Sequence, residues 1–380
     1  MEDGITVCLL AYREEENLKV IIPQIKDVCD KIGEQYEILV VDTAEPLDNT
    51  PDVCKSFGSR YVNQEQEGYG GAFRTGIKYA TFDKILYLDS DLSHDPKNIA
   101  DIYNMFSEGS YDIVIGSRYV DGGVSNDSNV SFAMSKILNF AFRIILGLKA
   151  RDISTSYRMY RTEDLRKAEL SKKNYDVLQE VFLRIGILKD RPLSTGETPI
   201  VFNKRLYGES KRQLLKFICN YASNLVEFTF IKYPLLKNLL LYFVIGVIGL
   251  GVDFGVFTLA TSILSAEIAN VVGAFCGFLV TFSGNTFLNF KKTDKLLARF
   301  ISYASICLIG TGISTLAIHL LKTTYGNYHA KLIAMGSAFI VQFILNKFIT
   351  YGKVKDLSPF TVDLENSRAN DRSDIEPRRA

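Results

Sequence analysis

The sequence predicts an α/β domain built on a mostly parallel sheet, followed by an all-α membrane domain of four helices. Three observations carry this expectation. Charge is unevenly spread, with only ten charged residues among the 113 from Leu239 to Tyr351 and 77 among the other 267. In the first third of the chain, short apolar runs alternate with amphipathic stretches. From Leu239 onward, four apolar segments follow one another. Over all 380 residues, 44 basic and 43 acidic side chains leave a formal charge of +1, which argues against a general nucleic-acid binder.

Taken in order, Ile5 to Leu10 reads as a strand, Asn17 to Ile32 as a helix and Glu37 to Val41 as a strand. Gly71 to Ala80 reads as a helix, Lys84 to Leu88 as a strand, Ile99 to Phe106 as a helix and Ile113 to Ile115 as a strand. Alternation in this order places parallel strands in one sheet with helices on both faces. Ligands of such sheets bind beyond the carboxyl ends of the strands, so the residues just after each strand matter most. The chain runs from Met1 to Gly4 straight into an apolar stretch too short for a signal core, which predicts a domain that stays in the cytosol. Six cysteines (Cys8, Cys29, Cys54, Cys219, Cys276, Cys307) form no CxxC pair and are expected to be reduced and mostly buried.

Asp89 and Asp91 follow the strand Lys84 to Leu88. Two carboxylates two positions apart at a strand end can share a hard divalent cation, Mg²⁺ or Mn²⁺, that also binds phosphate oxygens. Upstream, Gly68, Gly70 and Gly71 enter a helical stretch bearing Arg74, where glycines allow an anionic group close to a helix start. Downstream, Arg118 follows the strand Asp112 to Ile115 and brings a guanidinium to the same sheet edge for a second phosphate.

The set Ala11 to Asn17, Asp42, Gly68 to Gly71, Asp89 to Asp91, Gly116 to Tyr119, Thr155 to Arg158 and Gly208 to Lys211 resembles glycosyltransferase family 2, specifically the dolichyl- or polyprenyl-phosphate hexose (mannose or glucose) synthases. The resemblance spans nearly all of residues 4–215. It implies a GT-A, Rossmann-like, nucleotide-sugar-binding domain over 1–213 and an inverting transferase. Such an enzyme would move a hexose from a nucleotide sugar of GDP-mannose or UDP-glucose type to a polyprenyl phosphate. By the same resemblance Ala11, Tyr12, Glu14 and Asp42 would line the base and ribose, and Gly70, Gly71 and Arg74 would join Asp89 around the donor. Asp89 and Asp91 would bind the metal-diphosphate, and Arg118 the acceptor phosphate, making these three the catalytic set. Lys211 would close over the donor diphosphate or the acceptor phosphate, with Arg205 beside it in sequence. Lys136 or Arg143 would stand in for a second acceptor arginine, and Glu180 would face the sugar. Family members usually carry proline and asparagine where Leu10 and Arg13 stand, and glutamine where Ser93 stands.

Phe132 to Lys149 mixes apolar residues (Phe132, Ile137, Ala141, Ile144, Ile145, Leu148) with Lys136, Arg143 and Lys149, the composition of an interfacial amphipathic helix. A second such stretch begins at Leu214, giving a juxtamembrane region over 214–234. Then come Leu239 to Ile263, Ile268 to Phe290, Phe300 to Leu321 and Leu332 to Tyr351, each long enough at ~1.5 Å per residue to cross ~30 Å of hydrocarbon. Lys291, Lys292, Lys295 and Arg299 in the central link predict that both termini and the catalytic domain are cytoplasmic, at a cell membrane. Lys322 and Lys331 weaken that bias without reversing it.

Tyr242 and Tyr303, Gly249 and Gly310, Gly251 and Gly312, Phe282 and Phe343, Asn285 and Asn346, and Phe287 and Phe348 all stand 61 positions apart. The membrane domain reads as a duplicated hairpin whose copies insert the same way up. Gly246, Gly249, Gly273, Gly277, Gly310 and Ser314 are expected to let helices pack closely. Asp253, inside the first crossing, is either functional or part of a helix–helix hydrogen bond. This block, over 235–352, resembles the GtrA-like membrane domains, which implies anchoring or flipping of polyprenyl-linked sugars. The tail 353–380 holds twelve charged residues in 28 and is expected to be disordered. The expected partners are thus a nucleotide sugar, a polyprenyl phosphate lipid and the membrane, with a homo-oligomer possible. A second reading is a lipid-linked sugar flippase or scaffold with an inactive transferase domain. A processive polysaccharide synthase fits poorly, because a chain without tryptophan has no QxxRW-like segment.

Overall fold

The structure, a computed structural model, describes residues 1–126, 129–203 and 214–352 and divides into two units, Met1–Lys232 and Tyr233–Ala380. The first unit carries β1 (Glu2–Leu10), α1 (Glu15–Ile32), β2 (Tyr36–Asp42), α2 (Thr50–Ser56), β3 (Arg60–Asn63), α3 (Tyr69–Tyr79), β4 (Phe82–Asp89), α4 (Asn98–Glu108) and β5 (Ile113–Ser117). It continues through β6 (Val124–Ser125), α5 (Asn129–Leu146), β7 (Arg158–Arg161), α6 (Thr162–Lys167), α7 (Val177–Lys189), β8 (Thr195–Pro199), β9 (Val201–Phe202) and α8 (Leu214–Lys232).

Seven strands form one sheet in the order β3-β2-β1-β4-β7-β5-β8, and β6 pairs with β9 apart from it. Every pairing within the seven is parallel except those of β7, which runs antiparallel between β4 and β5. Both faces are apolar. Cys8, Leu39, Val41, Ile85 and Tyr87 belong to one core, while Val7, Leu9, Val40, Leu86 and Leu88 belong to the other. Side chains alternate across a strand, so continuous apolar runs are what a sheet covered on both sides requires. Helix α1 buries Leu18, Ile21, Ile22, Ile25 and Cys29, a helical stripe. It stops at Gly33, whose φ of 81° suits glycine and whose N–H reaches the Cys29 carbonyl at 3.1 Å. The elements read from the sequence are all present, and α2, β3 and the antiparallel β7 are additions to them.

In the second unit, α9 (Pro234–Ala260) is followed by α10 (Ala266–Ser283), which continues as the π-helix Gly284–Asn289. Helix α11 (Leu296–Leu345) breaks at Gly326, where φ is 75°, and ends in a second π-helix, Asn346–Thr350. Four stretches are long and apolar enough to cross a membrane: Pro234–Ala260, Ala266–Asn289, Leu296–Gly326 and Ile333–Thr350.

The 61-residue repeat is visible in the bonding. Asn285 Nδ2 donates to the Tyr303 hydroxyl at 3.1 Å, and Asn346 Nδ2 donates to the Tyr242 hydroxyl at 3.0 Å. Phe282 meets Tyr303 edge-on, and Phe343 meets Tyr242 in the same way. Phe290 and Tyr351, themselves 61 apart, stack on each other with centroids 4.3 Å apart.

A Cβ on Gly249 would stand 2.3 Å from Thr281 Cγ2, and one on Gly310 would stand 1.9 Å from Gln342 Nε2, so both are true close approaches. Gly246 is not; nothing lies within 4 Å of its missing Cβ. Asp253 fills the groove left by Gly273 and Gly277, where added Cβ atoms would come within 3 Å of it. Cys8, Cys29 and Cys54 are buried free thiols, whereas Cys276 and Cys307 are only half-buried. The tail 353–380 lies outside the described residues.

Candidate active site

The carboxyl ends of β1, β2, β4, β5 and β8 share one edge of the sheet, and the reversed β7 delivers its start there too. Asp89 ends β4, and Asp91 follows in the turn. Asp89 Oδ1 accepts the Ser156 hydroxyl at 2.7 Å, and Asp91 Oδ1 accepts the Ser93 N–H at 3.0 Å. Each carboxylate is thus oriented by a donor on one oxygen. His94 fixes the turn between them. Its Nδ1 accepts the Asp89 N–H at 3.1 Å, so its Nε2 carries the hydrogen and faces Thr155 Oγ1 at 3.3 Å. Burial holds the His94 imidazole below its ordinary range, against the pull of Asp89 and Asp91, and so keeps it neutral.

Arg118, just past β5, is gripped by Asp152. Its Nε reaches Asp152 Oδ2 at 2.7 Å, its Nη2 reaches Oδ1 at 2.9 Å, and its own N–H adds a bond at 3.2 Å. Burial would raise the Asp152 carboxyl, but the Arg118 charge and bonds outweigh it and hold it below the usual carboxylate range. Arg118 Nη2 also donates to Ser154 Oγ at 2.7 Å, and Ser154 Oγ meets Ser135 and Asn139 of α5. The Tyr119 ring lies under two cations, with Arg118 Cζ 5.2 Å and Lys136 Nζ 5.9 Å from its centroid.

The remaining expected positions divide. Ala11 is buried, with its N–H on the Val41 carbonyl, and Tyr12 is 52% exposed beneath the Arg13 guanidinium. Glu14 accepts Asn17 Nδ2 at 2.5 Å. Asp42 is fully buried, with its oxygens turned to the Thr43 N–H at 2.7 Å and the Tyr61 hydroxyl at 3.2 Å, and burial pushes its carboxyl up.

At three further expected positions the side chains or the room they leave serve the protein's own backbone. Gly70 and Gly71 make room for the protein's own backbone, since added Cβ atoms would lie 2.0 Å from the Lys172 carbonyl oxygen and 1.9 Å from that of Gln66. Arg74 binds the same loop, through the Lys172 carbonyl at 2.6 Å and Gln66 Oε1 at 2.5 Å. Glu180 is buried; it accepts the N–H groups of Ser171 and Lys172, each at 2.9 Å, and pairs with Arg184. Three neighbouring carbonyls or N–H groups there needed partners, and these side chains are the partners. Arg205 and Lys211 lie outside the described residues.

Reading the sequence missed Asp152, Ser156 and His94 as site-builders. Thr155 to Arg158 stood out as a motif, but nothing local marks Asp152 as the counter-ion of a residue 34 positions earlier. Arg158 itself is fully buried, with Nη1 on the Leu178 carbonyl at 2.8 Å and Nε and Nη2 without partners among the described residues.

Residues 6–168 match the family described as Glycosyl transferase family 2, and residues 241–351 the family described as GtrA/DPMS, transmembrane domain. The chain is 27% identical over 366 residues to the dolichol-phosphate mannosyltransferase of Pyrococcus furiosus, covering 91% of this chain and 99% of that one. It is 31% identical over 219 residues to the polyprenol monophosphomannose synthase of Mycolicibacterium smegmatis, covering 54% of this chain and 79% of that one. Among solved structures, glucosyl-3-phosphoglycerate synthase from Mycobacterium tuberculosis, in complex with Mn²⁺, UDP and glucosyl-3-phosphoglycerate, matches with a TM-score of 0.47 and 16% identity over 60% of this chain and 80% of that one. A GT-A domain followed by four apolar spans defines a membrane-integral sugar transferase. The chain belongs to glycosyltransferase family 2.

Proposed function

We propose that the protein transfers a hexose from a nucleotide sugar to a polyprenyl phosphate of dolichyl or undecaprenyl type, with inversion, at the cytoplasmic face of the cell membrane. The observation that carries this reading is the pairing of Asp89 and Asp91 with Arg118 along one sheet edge, in a chain that goes on into four membrane spans. The printed names of the relatives favour mannose as the sugar.

The donor set suits Mg²⁺ or Mn²⁺. Two hard carboxylates are offered, no cluster of three His, Cys, Asp or Glu forms among the described residues, and such ions fill their other positions with water and phosphate oxygens. Ser93 Oγ, buried beside Asp91 with no partner among the described residues, is a polar atom that such a hydrated site would satisfy. When bound, the ion neutralises the leaving diphosphate. The Ser156 hydroxyl and the Ser93 N–H hold the two carboxylates for it.

On the acceptor side the Arg118–Asp152 pair is neutral as a unit, so Lys136 supplies the net positive charge near Tyr119. A lipid phosphate oxygen would form the new bond to the anomeric carbon while the bond to the nucleoside diphosphate breaks. A phosphate monoester is already ionised at neutral pH, so alignment and charge neutralisation replace a strong general base. Helix α5 favours a lipid acceptor. Ile137, Phe140 and Ile144 are each more than 60% exposed along one face, while Asn139, Phe142 and Leu146 are buried on the other.

The test is transfer from labelled GDP- and UDP-sugars to polyprenyl phosphate in detergent, with Mg²⁺, Mn²⁺ or chelator. The expected result is a mannosyl lipid that disappears with chelator. No product from any donor, with folded protein, would overturn the transferase reading in favour of a flippase or scaffold.

A further inference from the structure

The two hairpins of the membrane unit are an internal comparison, and they differ where charge is concerned. Thr286 Oγ1 of the first copy and the Tyr351 hydroxyl of the second bond at 3.0 Å. Adding 61 to Thr286 gives Lys347, and subtracting 61 from Tyr351 gives Phe290, so the equivalent pair has a cation from the second copy and a phenyl ring from the first where this one has two hydroxyls. The rest of the framework is kept: Asn285 with Tyr303 matches Asn346 with Tyr242, and Asn289 bonding Asn285 Oδ1 matches Thr350 bonding Asn346 Oδ1.

Lys347 does not hang off the outside of the bundle. It is 8% exposed and shares its helix face with Phe343, Thr350 and Tyr351, all buried, whereas Ile344, Phe348 and Ile349 are exposed. Among the described residues it has no hydrogen bond and no ion pair; its one charge contact is a ring 5.8 Å away, that of Phe348. Its side chain is enclosed by the bundle, while the ammonium, without a partner among the described residues, keeps accessible surface and so can meet a ligand from outside. Among the described residues nothing nearby in sequence pairs it. The same end of the unit carries Lys237, Lys291, Lys292, Lys295 and Arg299, and its single acid among the described residues, Asp294, is taken by Arg299 at 2.7 Å.

We propose that this end of the membrane unit is an anion site, with Lys347 as its central cation, and that its ligand is the phosphate group of a membrane lipid. A lipid is favoured over a soluble anion because Lys347 sits in the last turns of an apolar span, at the depth where phosphates of a bilayer lie. Arg299 lines the mouth through the Thr350 carbonyl and Asp294. All its residues belong to the second unit, and its occupancy requires no sugar transfer.

The experiment uses the full chain in detergent. Native mass spectrometry and thermal melting are run with dioleoyl phosphatidic acid, with phosphatidylcholine of the same acyl chains, and with inorganic phosphate. Retention of phosphatidic acid over phosphatidylcholine is expected in the wild type. Lys347→Thr, which restores the first copy's residue and is built to fold, is expected to weaken it about tenfold, the scale of one charge-assisted bond. Lys347→Arg is expected to keep it. Stabilisation by inorganic phosphate, lost in Lys347→Thr, would support the site with the bare anion as its ligand. Equal phosphatidic acid binding by wild type and Lys347→Thr would overturn it, as would loss in Lys322→Met, a lysine at the other end of a span. Transferase activity plays no part in the readout, so failure here leaves the proposed transfer reaction standing.

Discussion

Asn346 donates to the Tyr242 hydroxyl at 3.0 Å across 104 residues of chain, and the same bond recurs between Asn285 and Tyr303 at 3.1 Å. Each hairpin supplies the asparagine for one bond and the tyrosine for the other, so neither hairpin is complete alone.

Removal of either bond should therefore loosen the whole unit. Tyr242→Phe and Tyr303→Phe are each expected to cost about 0.6–1.7 kcal/mol, the range for hydrogen bonds between membrane helices. The double variant should lose about the sum, as unfolding in mixed micelles would show. A loss confined to one of the two tyrosines would contradict the reciprocity.

At the proposed metal site, Asp91→Asn should reduce transfer more than about 100-fold, because the amide keeps the Ser93 bond but not the charge that the ion needs. The melting temperature should hardly move. Substantial turnover with metal present would rule out Asp91 as a ligand.

Asp152 makes a different forecast. Asp152→Ala strands a buried guanidinium, and about 3–5 kcal/mol of stability should go with it. The folded carboxyl titrates below its unfolded value of about 3.9, so the pair's contribution is complete above that pH. It should fade as pH falls through the lower folded value. Unfolding by urea at pH 3 to 7 reads this directly, with the wild-type acid loss blunted in Asp152→Asn.

Gly70 and Gly71 distinguish a structural from a phosphate-binding role. A Cβ at either would stand about as close to a backbone carbonyl oxygen as a covalent bond partner once removed, and backbone cannot step aside like a side chain. Gly71→Ala should lower stability by about 1–3 kcal/mol, the cost of overpacking. Lower donor affinity with unchanged melting would instead restore the anion-cradle reading.

Much of this was legible in the sequence. Ile5 to Leu10, Lys84 to Leu88 and Ile113 to Ile115 are strands because apolar runs of that length, set between amphipathic stretches, suit a sheet covered on both faces. The 61-residue offset pointed to Asn285 and Asn346, though not to the crossing of their bonds between copies. What stayed hidden was long-range pairing. Arg118 looked like a free guanidinium until Asp152 stood beside it, and Arg74 and Glu180 looked like ligand-binding groups until the Gln66 side chain and the Lys172 backbone used them. Charge and polarity can be read from a residue; the group that satisfies them depends on which distant loop the fold brings in.

The reversed strand β7 has a further effect. By lying between β4 and β5 it keeps the strand of Asp89 two spacings from that of Arg118, about 9.6 Å. The span between the proposed donor end and the proposed acceptor end of the site is thus counted in whole strands, like marks on a ruler. No side-chain substitution can shorten it. Drift in sequence can change which sugar or lipid is grasped, yet the gauge of the site persists for as long as β7 remains inserted, and deleting β7 would take Arg158 with it.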